Sequence, residues 1–210
     1  MSARLIYVMD PMCSWCWGFE PVLQHLASQA ERAGVGLQLV VGGLRRECEV
    51  MDPGGRERTL GYWRSVREST GQSFNFETGL PPGLVYDTEP ACRALVVARG
   101  MDAGSAWPLA RRLQQAFYQE GQDITRAQVL LELATRQGLC RETFASRFDG
   151  LEAREETQRD FAWAQNLGIA GFPTLLARRQ GGYALLTNGY QSAEVLGPLL
   201  GRWLEQGSYA

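Results

Sequence analysis

The spacing of apolar residues changes twice within the first fifty residues, from a continuous run to helical spacing and back to a continuous run. Leu5 to Met9 form an unbroken apolar run, which is typical of a strand covered on both faces of a sheet. From Phe19 to Ala30 the apolar residues recur at helical spacing, and the helix breaker Gly34 follows. A second apolar run, "GLQLVVGG", covers residues 36–43. The pattern therefore predicts strand, helix and strand, the parallel unit of an α/β sheet.

The rest of the chain divides into a helical middle and a mixed end. Helical spacing and helix-start signals recur up to Gly168, and "YDTEPACRALVVARG" has both a capping residue and an early proline. Two short strands, "PTLLARR" and "YALLTNG", then flank a Gly-Gly turn and predict a hairpin, which a final amphipathic helix follows. We predict an α/β thioredoxin fold with a central mixed sheet over residues 1–50 and 169–210. An all-helical insertion, residues 51–168, packs on it as one compact unit.

Composition and charge narrow the range of functions. The chain has 210 residues, of which 45% are hydrophobic and 21% charged, and its net charge is -2. This is the balance of an ordinary globular protein, without the basic surface that binds nucleic acid or an anionic membrane. No secretory leader and no apolar stretch of membrane-spanning length is visible. We therefore expect a cytoplasmic protein, where five cysteines without framework spacing favour catalysis or metal binding over structural disulfides.

The segment "DPMCSWCWGF" places Cys13 and Cys16 two residues apart. A structural zinc ion needs four ligands, usually in two pairs, and the other three cysteines are isolated in the sequence. The single histidine, His25, falls nine residues after Cys16 on the same predicted helix, roughly on its opposite face at about 100° per residue. A structural disulfide would close only a four-residue loop and constrain the unfolded chain little. We therefore predict no metal site.

A redox function gives the pair a mechanism. It follows a strand and opens a helix, so Cys13 lies near a helix N-terminus, where free N–H groups and the helix dipole stabilise a thiolate. Cys16, three residues on, faces the same side of the helix. Cys13 would then attack a partner disulfide, and the more buried Cys16 would resolve the mixed disulfide. A C-x-x-C pair between a strand and a helix is a strong signal for this chemistry.

Three stretches resemble one family. The chain is similar to the DsbA-like thioredoxin superfamily, in its cytoplasmic FrnE-like branch of protein-disulfide isomerases, through "YVMDPMCSWCWGFEPVL", "YDTEPACRALVVAR" and "LGIAGFPTLL". The resemblance implies that Cys13 is the nucleophile, that Cys16 is the resolving thiol, and that no cofactor is needed. It also implies a cis Phe172–Pro173 peptide that docks substrate, although a strand-start proline is ordinarily trans. The Ser14-Trp15 dipeptide departs from the Pro-His of DsbA.

Two residues beside the cysteines have more than one interpretation. Asp10 could tune the thiolate of Cys13 or shuttle a proton, and it could equally be a turn residue of the strand-to-helix loop. Trp15 is expected to be partly exposed and to contact substrate, whereas Trp17, in the second helical turn, is expected in the core.

The leading hypothesis is a thiol–disulfide oxidoreductase of the reductase or isomerase type. Its partners would be protein or small-molecule disulfides and dithiols, glutathione among them, with neither nucleic acid nor membrane. The alternative is a glutathione-dependent transferase or isomerase resembling kappa-class glutathione transferases and 2-hydroxychromene-2-carboxylate isomerases, which "WGFEPVL" echoes. Those enzymes typically carry serine where this chain has Cys13, so the paired cysteines argue against them. A non-catalytic binding or chaperone module would not need an intact pair.

Overall fold

The computed structural model describes residues 3–206. Its strands are β1 (Arg4–Met9), β2 (Gly36–Val41), β3 (Arg46–Val50), β4 (Val85–Asp87), β5 (Thr174–Arg179) and β6 (Gly182–Asn188). Its helices are α1 (Ser14–Arg32), α2 (Pro53–Thr70), α3 (Glu89–Met101), α4 (Ala106–Tyr118), α5 (Ala127–Arg136), α6 (Arg141–Asp149), α7 (Leu151–Asn166) and α8 (Ala193–Glu205).

A four-stranded sheet in the order β2-β1-β5-β6 carries the fold. β1 is parallel to β2 and antiparallel to β5, and β5 and β6 form the predicted hairpin. Leu5 to Met9 are all buried because both faces of β1 are covered, as the continuous apolar run requires. Alternate side chains of β1 enter two clusters: Tyr7 lies in the large cluster that includes α1, whereas Ile6 and Val8 lie in a small one with Ala164 of α7. The predicted thioredoxin-type frame is confirmed.

Six helices, α2 to α7, lie between the two halves of the frame. α3 is buried on every side from Ala91 to Ala98, which fits a helix that contacts α4, α5, α6, α7 and β2. The large buried cluster runs without a break from β1 and α1 into α3 and α4. The sheet's covering layer is therefore built from the frame and the insertion together.

The insertion also contains a strand that the sequence did not predict. β4 pairs antiparallel with β3 in a separate two-stranded sheet, so the insertion is not entirely helical. β3 has the sequence "RECEV" with every residue exposed, and β4 is three residues long. β4 is too short to show a periodic pattern, and β3 alternates only over Glu47 to Val50 and has no buried face. Their pairing holds the start of α3 beside the loop that follows β2.

Candidate redox site

Cys13 is the N-cap residue of α1. After β1 ends at Met9, the chain turns, and the Cys13 N–H donates to the Asp10 carbonyl at 3.1 Å. The Cys13 carbonyl then accepts the first bond of the helix, from the Trp17 N–H at 3.1 Å. The first turn of α1 itself has no acidic residue. The Cys13 thiol therefore lies at the positive end of the helix dipole.

The two thiols of the pair differ in their surroundings. Both are free, Cys13 is 5% exposed and Cys16 is completely buried, which confirms the predicted order of exposure. The Cys13 thiol donates to the Phe172 carbonyl at an S···O distance of 3.6 Å. Burial is the largest of the causes that raise the pKa of the Cys16 thiol well above its usual value. Cys13 is thus the sulfur that a substrate can reach.

The loop before β5 lies against this sulfur. The Phe172–Pro173 peptide is cis, as predicted, and β5 begins at Thr174, opposite Val8 near the end of β1. The antiparallel pairing therefore brings the loop to the same end of the sheet as Cys13. The Phe172 ring packs on Gly42 so closely that a Cβ there would lie 2.0 Å from Cζ. Substrate docking by Phe172 and Pro173 stays a prediction.

The two tryptophans have the predicted exposures. Trp15 is half-buried, and its ring centroid lies 6.0 Å from that of Tyr190. Trp17 is in the core, stacked on Tyr118 with centroids 5.9 Å apart, and its indole N–H donates to the Ser73 carbonyl at 2.9 Å. Trp15 can therefore contact a docked substrate, whereas Trp17 ties α1 to the insertion.

Asp10 has no exposed surface. One carboxylate oxygen accepts from the Met12 N–H at 2.8 Å, and the other accepts from the Leu44 N–H at 2.7 Å and the Thr88 hydroxyl at 2.6 Å. The Cys92 thiol also donates to that second oxygen, at 3.4 Å. Burial raises the pKa of the Asp10 carboxyl above its usual range, against the opposing effect of these donors. The carboxyl thus orders the turn, as the second interpretation had it, and fastens that turn to the insertion.

Three tyrosines beside the pair were not predicted. The Tyr86 hydroxyl donates to the Met12 carbonyl at 2.6 Å, and the Arg45 guanidinium lies 4.8 Å from the centre of its ring. Tyr7 and Tyr118 are completely buried. Because side chains alternate between the two faces of the sheet along β1, the sequence could have predicted that Tyr7 lies on the face that α1 covers. No sequence signal could have brought Tyr86 or Tyr118 here, because that depends on how the insertion docks.

The other polar residues of interest lie away from the pair or are enclosed. His25, Cys48 and Cys140 are exposed, and Cys92 is buried against Asp10. Within residues 3–206 no group of three or more His, Cys, Asp and Glu side chains is arranged to hold a metal ion. No helix in the same range has the length and apolar character needed to cross a bilayer.

A thioredoxin-type sheet, a free C-x-x-C pair at a helix N-terminus and a cis-proline facing it define a protein of the thioredoxin-fold dithiol class. Residues 4–200 match the family model described as the DSBA-like thioredoxin domain. The chain therefore belongs to this family of DsbA-like oxidoreductases.

Solved structures similar to this chain come from bacteria. A candidate protein disulfide isomerase from Nitrosomonas europaea is 36% identical, with a TM-score of 0.90 over 98% of this chain and 99% of that one. The cytosolic disulfide reductase DsbM from Pseudomonas aeruginosa is 30% identical, with a TM-score of 0.79 and 98% of each chain covered. DsbM has also been solved with glutathione, a structure 29% identical to this chain with a TM-score of 0.77 that covers 99% of this chain and 100% of that one.

Two curated proteins are similar to this chain at lower sequence identity. The ClpXP adapter proteins SpxH of Halalkalibacterium halodurans and Bacillus subtilis are 23% and 25% identical over 172 residues, or 80% of this chain. The match covers 56% and 55% of their sequences, so this chain spans about half the length of the curated relatives.

Proposed function

We propose that this protein is a thiol–disulfide oxidoreductase of the reductase or isomerase type that uses Cys13 and Cys16 through a mixed disulfide. The observation that carries the proposal is the position of Cys13, which caps α1 with its thiol 3.6 Å from the Phe172 carbonyl. A sulfur at the N-terminus of a helix that borders a peptide edge can attack a disulfide held along that edge.

The reaction takes two steps that balance in atoms and electrons. The Cys13 thiolate attacks one sulfur of the substrate disulfide, a Cys13–substrate disulfide forms, and the second substrate sulfur leaves as a thiolate. Cys16 then attacks the Cys13 sulfur, which forms the Cys13–Cys16 disulfide and releases the first substrate sulfur. The substrate gains two electrons and the cysteine pair loses two. When Cys13 instead leaves a mixed disulfide to a different substrate thiol, the same chemistry isomerises.

The surroundings of Cys13 favour the reducing direction. Ser14 and Trp15 carry no positive charge, in contrast to the histidine between the cysteines of DsbA, and the Asp10 carboxyl lies beneath the turn. We expect a reduction potential of about -200 mV, between thioredoxin and DsbA, at which a typical cytosol keeps the pair largely reduced. Redox titration against glutathione, followed by alkylation and mass measurement, checks this value. A potential near the roughly -120 mV of DsbA would indicate an oxidase instead.

The pair must be re-reduced after each turnover, either by one dithiol or by two molecules of a monothiol, which are themselves oxidised to a disulfide. We propose that glutathione or a protein dithiol does so in the cytosol, and that protein or small-molecule disulfides are the substrates. The support is the similarity to DsbM, a cytosolic disulfide reductase that has been solved with glutathione.

The proposed mechanism is tested by replacing each cysteine separately. Cys13→Ser is expected to abolish insulin reduction, because serine is a far weaker nucleophile for a disulfide. Cys16→Ser is expected to accumulate mixed disulfides with substrate, since nothing then resolves them. The rate of insulin reduction measures the first outcome, and non-reducing mass spectrometry after incubation with oxidised glutathione measures the second.

The triple variant Cys48→Ser, Cys92→Ala, Cys140→Ser is the matched control and should keep its turnover. Full activity of Cys13→Ser would refute the mechanism. Glutathione conjugation that persists in Cys16→Ser, without mixed disulfides, would instead support the transferase class considered from the sequence.

A further inference from the structure

Tyr7 lies behind the resolving cysteine. Its side chain projects from β1 into the same buried cluster as Cys16, and its ring packs 6.0 Å from Phe19, one helical turn after Cys16 on α1. The Trp107 ring closes the other side with an edge-on contact, also at 6.0 Å. The hydroxyl at the end of this clamped ring is near enough to both sulfurs of the pair for their charge to raise the pKa of the phenol.

The Tyr7 hydroxyl has no function in holding the fold together. It is completely buried, and no group within residues 3–206 meets hydrogen-bond geometry with it. An unpartnered hydroxyl in the core costs folding free energy. Phenylalanine would pack equally well without that cost, so the hydroxyl calls for a functional explanation.

Cys16 needs a group that makes its thiol easier to deprotonate. It must lose its proton before it can attack the Cys13 sulfur, yet burial in apolar surroundings is the largest cause that raises the pKa of its thiol well above the usual value. A hydrogen bond donated to the charged form has the opposite effect. The pKa of Tyr7 is itself raised well above its usual value, chiefly by burial, so the phenol keeps its proton and can only donate.

We propose that Tyr7 is a positioning residue for the resolving step, with its hydroxyl donating a hydrogen bond to the Cys16 sulfur as that sulfur becomes a thiolate. This inference rests on the proposed function. In the step, the Cys16 thiolate attacks the Cys13 sulfur, the Cys13–Cys16 bond forms, and the bond to the substrate sulfur breaks. The substrate sulfur leaves with the electron pair and takes up the proton that Cys16 has lost. Tyr7 donates throughout and is unchanged at the end.

Other titratable groups also face this space. Cys13 lies one turn before Cys16, and the Tyr118 hydroxyl from α4 is close enough to both sulfurs to be affected by their charge. Glu20, further along α1, influences Tyr7 but is engaged in an ion pair with Arg111. Of the side chains around Cys16, Cys13 raises the pKa of its thiol and Tyr7 lowers it.

The test isolates the resolving step. Cys13 is loaded with thionitrobenzoate, and release of the coloured thiol by Cys16 is followed as a function of pH. Tyr7→Phe is expected to slow release about tenfold at neutral pH and to shift its pH profile to higher pH. The attack of Cys13 on the reagent, measured with Cys16→Ser in both backgrounds, should be unchanged. The thermal midpoint of the reduced Tyr7→Phe protein should equal or exceed that of the wild type.

Two tyrosine variants serve as references. Tyr62→Phe, on the exposed side of α2, should match the wild type, and Tyr118→Phe should slow release less than Tyr7→Phe does. Release at the wild-type rate from Tyr7→Phe at every pH would overturn the inference. Failure of the proposed function looks different, because the wild type and its Cys16→Ser variant would then release thiol equally slowly.

A measurement on the unaltered chain covers the case in which Tyr7→Phe does not fold. With tyrosine labelled by carbon-13 at Cζ, the Tyr7 resonance should move as Cys16 titrates, while that of Tyr62 stays fixed. A Tyr7 resonance that ignores the Cys16 titration would also overturn the inference.

Discussion

The two sides of the cysteine pair are built by two regions of the molecule. The frame of β1, α1 and the loop before β5 forms the outer side, where Cys13 meets the Phe172 carbonyl and Trp15 is half-buried. The insertion closes the inner side, where Tyr86 bonds to the Met12 carbonyl and Thr88 bonds to Asp10. The outer side presents one sulfur and a peptide edge to a substrate. The inner side fixes the turn that carries that sulfur.

This difference separates what the fold shares with any thioredoxin-type sheet from what is particular to this chain. The sulfur at a helix N-terminus and the facing proline follow from the frame alone. Two of the three buried tyrosines, Tyr86 and Tyr118, and two of the four donors to Asp10, Thr88 and Cys92, come from the insertion. We therefore expect changes on the outer side to alter substrate attack, and changes on the inner side to alter stability and its pH dependence.

A substitution at Gly42, on the outer side, is expected to lower stability and Cys13 reactivity more than a substitution at Asp10. Gly42→Ala places a methyl group 2.0 Å from Phe172 Cζ, so the ring must move and carry its carbonyl away from the Cys13 thiol. Forcing a side chain out of a packed position costs typically 1–3 kcal/mol, and we expect about 3 kcal/mol or more at so short a distance. Urea unfolding measures the stability, and the rate of Cys13 attack on a model disulfide should fall with it.

Gly36→Ala, at the other end of β2, is the matched control because a Cβ there meets nothing within 4 Å. It should leave both measurements nearly unchanged. A Gly42→Ala protein with wild-type stability and reactivity would show that Phe172 does not set the outer side of the site.

The same division explains how much the sequence could predict. The apolar run of β1, the helical spacing of α1 and the Gly-Gly turn of the hairpin are local signals, and the structure confirms the elements that they predicted. Cys13 and Cys16 were found because their spacing and their place between strand and helix are themselves the signal. β3 is exposed along its whole length and β4 has only three residues, so neither strand was predicted. Tyr86 and Thr88 reach the site only through the docking of the insertion, a long-range packing arrangement that no short stretch encodes.

Asp10 is hydrogen-bonded to both regions. Replacing its carboxyl tests the inner side, and the expected change in stability is smaller and depends on pH. All four of its partners can donate: two backbone N–H groups, a hydroxyl and a thiol. In Asp10→Asn the amide NH2 must face one of these donors, which costs on the order of 1–3 kcal/mol at neutral pH. The Thr88 hydroxyl also lies 3.3 Å from the Arg45 carbonyl, so it can turn to that oxygen and accept a proton held on Asp10.

The raised pKa of Asp10 determines how the difference in stability between the wild type and Asp10→Asn changes with pH. Because the pKa of Asp10 is raised in the folded state, the folded protein binds more protons than the unfolded chain from about pH 3.8, the usual aspartate value, up to the raised value. The wild type therefore loses stability as pH rises through that window, and Asp10→Asn does not. The stability deficit of the variant should be largest at the acidic end and should narrow as pH rises. Urea unfolding of both reduced proteins from pH 4 to 8 measures this difference in stability. The contributions of the other titrating groups largely cancel in it, because both proteins contain them. Asp149→Asn, at an exposed position, controls for the loss of one negative charge. A deficit that widens with pH would mean that the insertion's donors hold Asp10 ionised, and that they outweigh its burial.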